Sequence, residues 1–165
     1  MPDRADQPPF NSRLFPVGQE HLTTDDYYTP PWVFERMAVT FDLDVAAPPG
    51  GVEWVPADRY YDQADDGLEQ PWEGRVWMNP PFSECSRWVP RFMAHRDGVC
   101  ILPHAKSGWH IDIWQHADAC VVPDRRVNFI GHLTGGQIMY PVFLAAYGPE
   151  CVAAIARLGM VRCIA

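Results

Sequence analysis

The sequence predicts an α/β domain around a mostly parallel sheet, with an antiparallel hairpin at one side. Short apolar runs alternate with segments of helical periodicity, which is the pattern of strand–helix units. Late in the chain, the glycine-rich stretch 131–136 separates Asn128-Phe129 from the apolar segment 140–147, which predicts the hairpin. The 165 residues, 47% hydrophobic and 21% charged, suffice for one soluble domain with a core.

The chain divides into two parts by composition. Residues 1–22 have few periodic apolar positions and several prolines, which predicts a flexible N-terminal arm. Residues 23–165 contain no internal repeat and no linker-like stretch, so we expect a single domain there.

The first half of this domain is predicted to contain one helix and two strands. The helix begins at a Thr-Pro-Pro sequence, with Thr29 as the N-cap and Pro30 at the first helical position. An apolar strand at 41–47 ends abruptly at two prolines and two glycines. Residues 52–74 are polar and read as irregular, before a second strand at 75–78.

The second half alternates more regularly. A helix is expected after Ser83, its cap, with an interruption or kink at Pro90. The remaining predicted elements are a strand at 99–102, a helix at 108–116, a strand at 119–122, the hairpin, a helix at 150–158 and a last strand from Met160.

Charge and composition restrict the function classes. The net charge of −8 and the pI of about 5.1 argue against a large nucleic-acid surface, because phosphate neutralisation supplies most non-specific affinity. They leave room for a local basic strip formed by Arg87, Arg91, Arg96, Lys106, Arg125 and Arg126. No apolar run approaches the ~18 residues of a membrane span, and the first residues lack a signal core, so a cytoplasmic protein is expected.

The cysteines and histidines do not form a metal-binding pattern. The five cysteines make no C-x-x-C pair and have apolar neighbours, which predicts reduced, mostly buried thiols. The six histidines form no H-E-x-x-H motif, and we expect no metal site.

The most informative motif is Asn79-Pro80-Pro81-Phe82, which directly follows a short apolar strand. An amide oxygen and the carbonyl oxygen of Pro80 are two acceptors that can hold a planar amino group. The prolines fix φ and lack N–H groups, so the turn is stiff and rich in acceptors. Phe82 can stack on a base, which together predicts presentation of an aromatic amine to an electrophilic methyl group. The alternative is a proline turn that ends a buried strand, with Phe82 in the core.

Two further loops are candidates for binding a cofactor. In α/β sheets, ligands bind beyond the carboxyl ends of strands. Asp44 can pair with an ammonium group, and Ala46, Ala47 and the following glycines allow close approach of a ligand; a plain turn is the alternative. Asp66 can bond an adenine amine while Leu68 packs on its face; here the alternative is an acidic turn.

Several segments, in order, resemble the phage-type DNA N6-adenine methyltransferase family. They span about residues 25–147: Tyr28-Thr-Pro-Pro-Trp-Val-Phe-Glu, Leu43-Asp-Val-Ala-Ala, Asp66-Gly-Leu, Trp72, Asn79-Pro-Pro-Phe, Trp88-Val, Leu102-Pro-His-Ala-Lys-Ser, Trp109-His, Arg126-Val-x-Phe129 and Tyr140-Pro-Val-Phe. Phe82 stands where the family usually has Tyr, and Pro48-Pro49-Gly50-Gly51 where it has polar residues.

The resemblance implies a Rossmann-like methyltransferase sheet and dependence on S-adenosylmethionine. It implies that Thr29-Pro30 and residues 44–47 line the methionine part of the cofactor, and that Asp66 and Leu68 hold its adenine. Asn79 to Phe82, including both prolines, would be the catalytic residues that hold an adenine flipped from DNA. A phage-encoded member would act in the host cytoplasm.

Two other functions remain open at this point. Related Asn-Pro-Pro-aromatic enzymes act on RNA bases or on protein glutamine amides, and the acidic pI is compatible with a protein acceptor. A non-catalytic acidic binding protein on a methyltransferase fold is the third possibility.

Overall fold

The computed structural model describes residues 27–131 and 137–163, so the predicted N-terminal arm lies outside the described residues. The described part contains a seven-stranded sheet, a three-stranded sheet and helices. The strands are β1 (Tyr27–Tyr28), β2 (Phe41–Asp44), β3 (Ala57–Tyr60), β4 (Val76–Met78), β5 (Gly98–Pro103), β6 (Ala119–Pro123), β7 (Asn128–Gly131), β8 (Gln137–Met139), β9 (Val142–Tyr147) and β10 (Gly159–Cys163). The α-helices are α1 (Pro31–Met37), α2 (Cys85–His95), α3 (Gly108–His116) and α4 (Pro149–Ile155), with 3₁₀ turns at Phe82–Glu84 and Ala156–Leu158.

The large sheet is mixed, with the order β10-β6-β9-β5-β4-β2-β3. Its β3, β2, β4 and β5 strands pair in parallel, whereas β9 pairs antiparallel with both β5 and β6, and β10 is antiparallel to β6. The predicted α/β class is therefore confirmed as a mixed α/β domain. A mostly parallel sheet is not confirmed, because parallel and antiparallel pairings are equally numerous.

The predicted hairpin has a different second strand. β7 pairs antiparallel with β8, and β1 adds to the other side of β7 to complete the small sheet. The segment expected to be that second strand is β9, which lies between β5 and β6. All six of its residues are buried, as a continuous apolar run without alternation requires in a sheet covered on both faces.

Other differences concern exposed or short elements. The region predicted as irregular contains β3, an edge strand with exposed polar residues and no apolar alternation to reveal it. Pro30, not Thr29, is the N-cap of α1, and Pro31 occupies the first helical turn. Ser83 lies in the 3₁₀ turn before α2, and Pro90 lies inside a continuous α2.

Helices cover both faces of the large sheet, because side chains alternate across each strand. On one face Val99 and Ile101 of β5 pack with residues of α1 and α4. On the other face Cys100 and Leu102 pack with residues of α2 and α3. The buried cysteine thiols predicted from the sequence are confirmed at Cys85, Cys100, Cys120 and Cys151. No helix in the described ranges has the length and apolarity to span a bilayer.

Candidate active site

Two strand ends place the predicted loops side by side. β2 and β4 are parallel neighbours, with Asp44 opposite Trp77, and the Val45 N–H donates to the Trp77 carbonyl at 3.1 Å. Because parallel strands end at the same edge of a sheet, the loop after Asp44 and the turn at Asn79 emerge together.

These loops border a cleft with a volume of about 600 Å³, within the ~300–1,000 Å³ typical of small-molecule sites. Its walls come from β1, the loop after β2, the segment before β4, the Asn79 turn and the start of α2. The lining residues are Tyr27, Tyr28, Val45, Ala46, Ala47, Pro48, Pro49, Asp62, Gln63, Asp66, Gly67, Leu68, Asn79, Pro80, Pro81, Ser83, Glu84, Arg87 and Trp88. Most of the predicted site residues are thus brought into one cleft.

The amide of Asn79 is oriented by the small sheet. Its Nδ2 donates to the backbone oxygen of Tyr27 in β1 at 3.4 Å. This contact uses the nitrogen of the amide and leaves its oxygen to accept a hydrogen bond from a ligand. The following turn is closed by the Glu84 N–H, which donates to the Pro81 carbonyl at 2.9 Å. The side chain of Asn79 is half-buried at the cleft wall, where an acceptor can meet a bound amine.

Phe82 lies outside the cleft lining, although both of its neighbours in the chain belong to it. Its half-buried ring makes edge-on contacts with Phe129 of β7 and Tyr140, with centroid distances of 5.8 Å and 5.5 Å. The ring therefore anchors the proline turn against the small sheet in this structure.

Asp44 is buried, with 4% of its surface exposed, at the base of the loop that lines the cleft. Its Oδ1 accepts a hydrogen bond from the Ala46 N–H at 3.1 Å. Burial raises the pKa of Asp44 to about 7, and the Ala46 hydrogen bond opposes this only in part. Asp44 itself is not a lining residue, but Val45, Ala46 and Ala47 directly above it are.

The loop that carries Asp66 and Leu68 packs tightly on the end of β2. A Cβ at Gly67 would lie 2.1 Å from the Val45 carbonyl oxygen, so only glycine permits this approach. Trp72 Nε1 donates to the Gly67 carbonyl at 2.7 Å and fixes the loop from its other side. Asp66 and Leu68 are thereby held in the same cleft as Ala46 and Ala47.

Thr29 and Pro30 are both buried and do not line the cleft, although they follow Tyr28, which does. The Thr29 carbonyl accepts from Trp54 Nε1 at 2.9 Å. The Thr29 Oγ1 atom is buried and has no hydrogen-bond partner within the described residues. The structure therefore does not bring Thr29 and Pro30 into contact with the cleft.

Sequence reasoning missed several cleft residues. Tyr27 enters through its pairing with β7, a long-range contact that has no local signal. Glu84 and Arg87 come from the first turns after the proline motif and form an ion pair at 3.1 Å. For Arg87, the sequence offered one indication that it reaches the cleft, namely its position at the start of a predicted helix.

The lining is mainly acidic, with the carboxylates of Asp62, Asp66 and Glu84 against the single guanidinium of Arg87. Such a lining suits a ligand with positive charge. Within residues 27–131 and 137–163, no group of three or more His, Cys, Asp or Glu side chains is arranged to hold a metal ion.

A comparison with protein families gives one match. The family model described as DNA N-6-adenine-methyltransferase (Dam) matches residues 19–139, which is more than half of the chain and includes every segment that lines the cleft. No curated protein and no solved structure matches the chain. The chain therefore belongs to the DNA N-6-adenine-methyltransferase family.

Proposed function

We propose that this protein transfers a methyl group from S-adenosylmethionine to the N6 amine of adenine in DNA. The observation that carries the proposal is the shared cleft: in a chain of this family, the Asn79-Pro80-Pro81 turn and the small-residue loop at Ala46-Ala47 face one cavity. The parallel block β3-β2-β4-β5, covered by helices on both faces, supports the view that the sheet is a variant of the Rossmann-like methyltransferase sheet.

The residues present fit S-adenosylmethionine, which supplies an electrophilic methyl group on a sulfonium. Asp66 would hold its adenine amine, and Leu68 would pack on the adenine ring. Ala46 and Ala47 give the space for its methionine part. The buried carboxylate of Asp44, at the base of the loop that lines the cleft, is the group that would pair with its ammonium end.

Asn79 and Pro80 would act on the acceptor amine. The amide and peptide oxygens accept hydrogen bonds from the two N6 hydrogens and thereby pull the amine out of conjugation with the ring. As the bond from N6 to the methyl carbon forms, the carbon–sulfur bond would break and leave a neutral thioether. The nitrogen becomes acidic only in this step, so its proton would pass to water without a strong base. The stiffness of the two prolines keeps these oxygens in position without reorganisation.

The acceptor class is tested by a transfer assay with tritiated S-adenosylmethionine. The purified protein is offered adenine-containing DNA, the matching RNA and a glutamine-containing protein, and the labelled product is identified. We expect label on N6 of adenine in DNA. Label only on RNA or protein would contradict the DNA assignment, and failure to bind the cofactor at all would identify a non-catalytic binding protein.

The role of Asn79 is tested by Asn79→Ala. Loss of one acceptor that acts on the reacting amine should lower the transfer rate by roughly 10²–10³-fold, as removal of a preorganised hydrogen-bond partner does in other enzymes. Calorimetric affinity for the cofactor should stay unchanged. The matched control is Asn128→Ala, an exposed amide on β7 outside the cleft, which should retain full turnover. Equal loss of cofactor binding and turnover in Asn79→Ala would refute the role.

A further inference from the structure

A second cavity, of about 290 Å³, lies at the same sheet edge as the proposed active site. It is lined by His104, which directly follows β5, and by His110, Ile111, Trp114 and Gln115 of α3. Because β5 is parallel to β4, His104 and Asn79 both follow the carboxyl ends of neighbouring strands.

Three of the five residues that line this cavity carry aromatic rings: His104, His110 and Trp114. The rings of His110 and Trp114 are parallel within 8°, with centroids 6.1 Å apart, as residues four apart on one helix face can be. His104 lies 5.6 Å from His110, and Phe143 of β9 backs both His110 and Trp114 at 4.9 Å and 5.2 Å. Flat faces with a common orientation are what a planar heterocycle needs for stacking.

The same cavity has polar groups for the edge of such a ring. His110 Nε2 is buried and has no hydrogen-bond partner within the described part of the chain. Burial and the nearby His104 lower the pKa of His110 and so favour the neutral ring, which has one donor and one acceptor nitrogen. The exposed amide of Gln115 adds a donor and an acceptor at the rim.

A continuous line of contacts joins this cavity to the Asn79 turn. Phe82 contacts Tyr140 at 5.5 Å, and the next residue, Pro141, accepts a hydrogen bond from the His104 N–H at 3.1 Å. His104 follows β5, the direct neighbour of β4, so these two strand ends lie about one strand spacing apart, ~4.8 Å. Nucleotides rise ~3.4 Å each along one stacked strand, so near neighbours in one strand can reach both the Asn79 turn and this cavity.

We propose that the cavity between His104 and α3 binds a second nucleobase of the DNA strand, a near neighbour of the target adenine, by stacking on His110 and Trp114. The proposal rests on the proposed function, because the occupant is part of the same DNA. It gives the protein a place to hold the strand after the target base has left the stack.

The test is an abasic scan. Single-stranded oligonucleotides with one adenine carry an abasic site at each flanking position in turn, and fluorescence anisotropy gives their dissociation constants. For the unmodified protein, one flanking position should weaken binding by roughly 5- to 150-fold, the range of one base–aromatic stack. Trp114→Ala should weaken binding of the intact oligonucleotide by the same factor. In this variant, the abasic site should no longer change the dissociation constant.

A second variant avoids truncation of the packed ring. Ile111 is 54% exposed at the cavity, so Ile111→Trp should fill the cavity without disturbing the core, and it should abolish the abasic effect in the same way. The matched control is His116→Ala, an exposed residue of α3 outside the cavity, which should behave like the unmodified protein.

The outcomes separate the two proposals. If the protein methylates adenine in DNA but both cavity variants keep the full abasic effect, the base-binding cavity is refuted and the proposed function stands. If the unmodified protein neither binds DNA nor transfers label to it, both proposals fail together.

Discussion

At Asp44, binding chemistry and stability oppose each other. A buried carboxylate with one backbone hydrogen bond is costly, which is why its pKa rises to about 7. In the unfolded chain the pKa of an aspartate is ~3.9. At pH values between these two pKa values, Asp44 is protonated in the folded state and ionised in the unfolded state. The free energy of unfolding therefore falls as the pH rises through this range. The loss approaches its full value above the folded pKa, where the buried group is charged.

Asp44→Asn should therefore stabilise the protein at alkaline pH. The amide keeps an oxygen for the Ala46 N–H but carries no charge, so the gain in unfolding free energy relative to the unmodified protein should grow by roughly 2–3 kcal/mol from pH 5 to pH 8. Urea unfolding at both pH values measures it. The control is Asp58→Asn, an exposed carboxyl on β3, whose effect should not show this growth. A stability difference that is independent of pH would contradict the account.

Asp44→Asn should also weaken binding of the cofactor. An ammonium group beside Asp44 would favour the charged carboxylate, so the proposed ligand would offset the cost of burying that charge. The sequence identifies Asp44 as a candidate because an acidic residue at a strand end is a local feature. The burial that shifts its pKa cannot be derived from the sequence, since it comes from packing of distant segments. The same limit applies to Phe82, whose partners Phe129 and Tyr140 are remote in the chain.

At the scale of elements, the cleft depends on how closely the loop before β4 can approach β2. Gly67→Ala should place a methyl group 2.1 Å from the Val45 carbonyl oxygen, so the loop must move away from the strand. We expect destabilisation by about 1–3 kcal/mol, the usual cost of overpacking, together with weaker cofactor binding. Urea unfolding and a calorimetric titration measure the two effects.

Gly108→Ala is the matched control for this substitution. A Cβ at Gly108 meets no atom within 4 Å, so the variant should be close to neutral in both measurements. Equal effects of the two alanines would show that the approach of the loop to Val45 is not what shapes the cleft.

Pro90 is expected to lower the stability of α2. It is exposed and lies inside α2, where it removes a helical hydrogen bond and opposes the preceding turn. Pro90→Ala should raise the unfolding free energy by about 1–2 kcal/mol, less than the full ~3 kcal/mol of an interior proline because the unfolded chain also gains freedom. Thermal unfolding checks this, and a lower melting temperature would show that the proline fits α2 without strain.

Most elements of the large sheet were predictable, because apolar runs and caps are local signals. The strands β4, β5 and β6 and the helix α3 occur where periodicity placed them. The pairing of β7 was not predictable, since a continuous apolar run such as β9 is compatible with a hairpin arm and with a central strand. Which segment pairs with β7 depends on which one takes the buried position between β5 and β6. That is a property of the assembled sheet and not of a local segment.

At the scale of the whole molecule, a net charge of −8 opposes association with DNA. The topology nevertheless places cationic side chains at the edge of the sheet where the proposed function requires DNA to bind. β6 runs in the same direction as β5, because both are antiparallel to β9, so the loops after β4, β5 and β6 share one edge. Exposed Lys106 follows β5, and exposed Arg125 and Arg126 follow β6. The carboxylate of Asp124 in the same loop is paired with Arg36 at 2.7 Å, which limits its repulsion.

Substitution of Lys106, Arg125 or Arg126 by Gln should therefore weaken DNA binding in a salt-dependent way. Each lost phosphate contact lowers the slope of log affinity against log salt by about 0.7 to 0.9, and the loss should be similar for all DNA sequences. Anisotropy titrations over a range of salt concentrations measure the slope. Arg96, predicted to belong to the same basic strip, lies instead at the other edge of the sheet, at the C-cap of α2 just before β5 begins. Arg96→Gln removes the same charge there and should leave the slope unchanged. If Arg96→Gln and the edge variants lower affinity equally, net charge alone governs association, and the shared edge is not the DNA-binding surface.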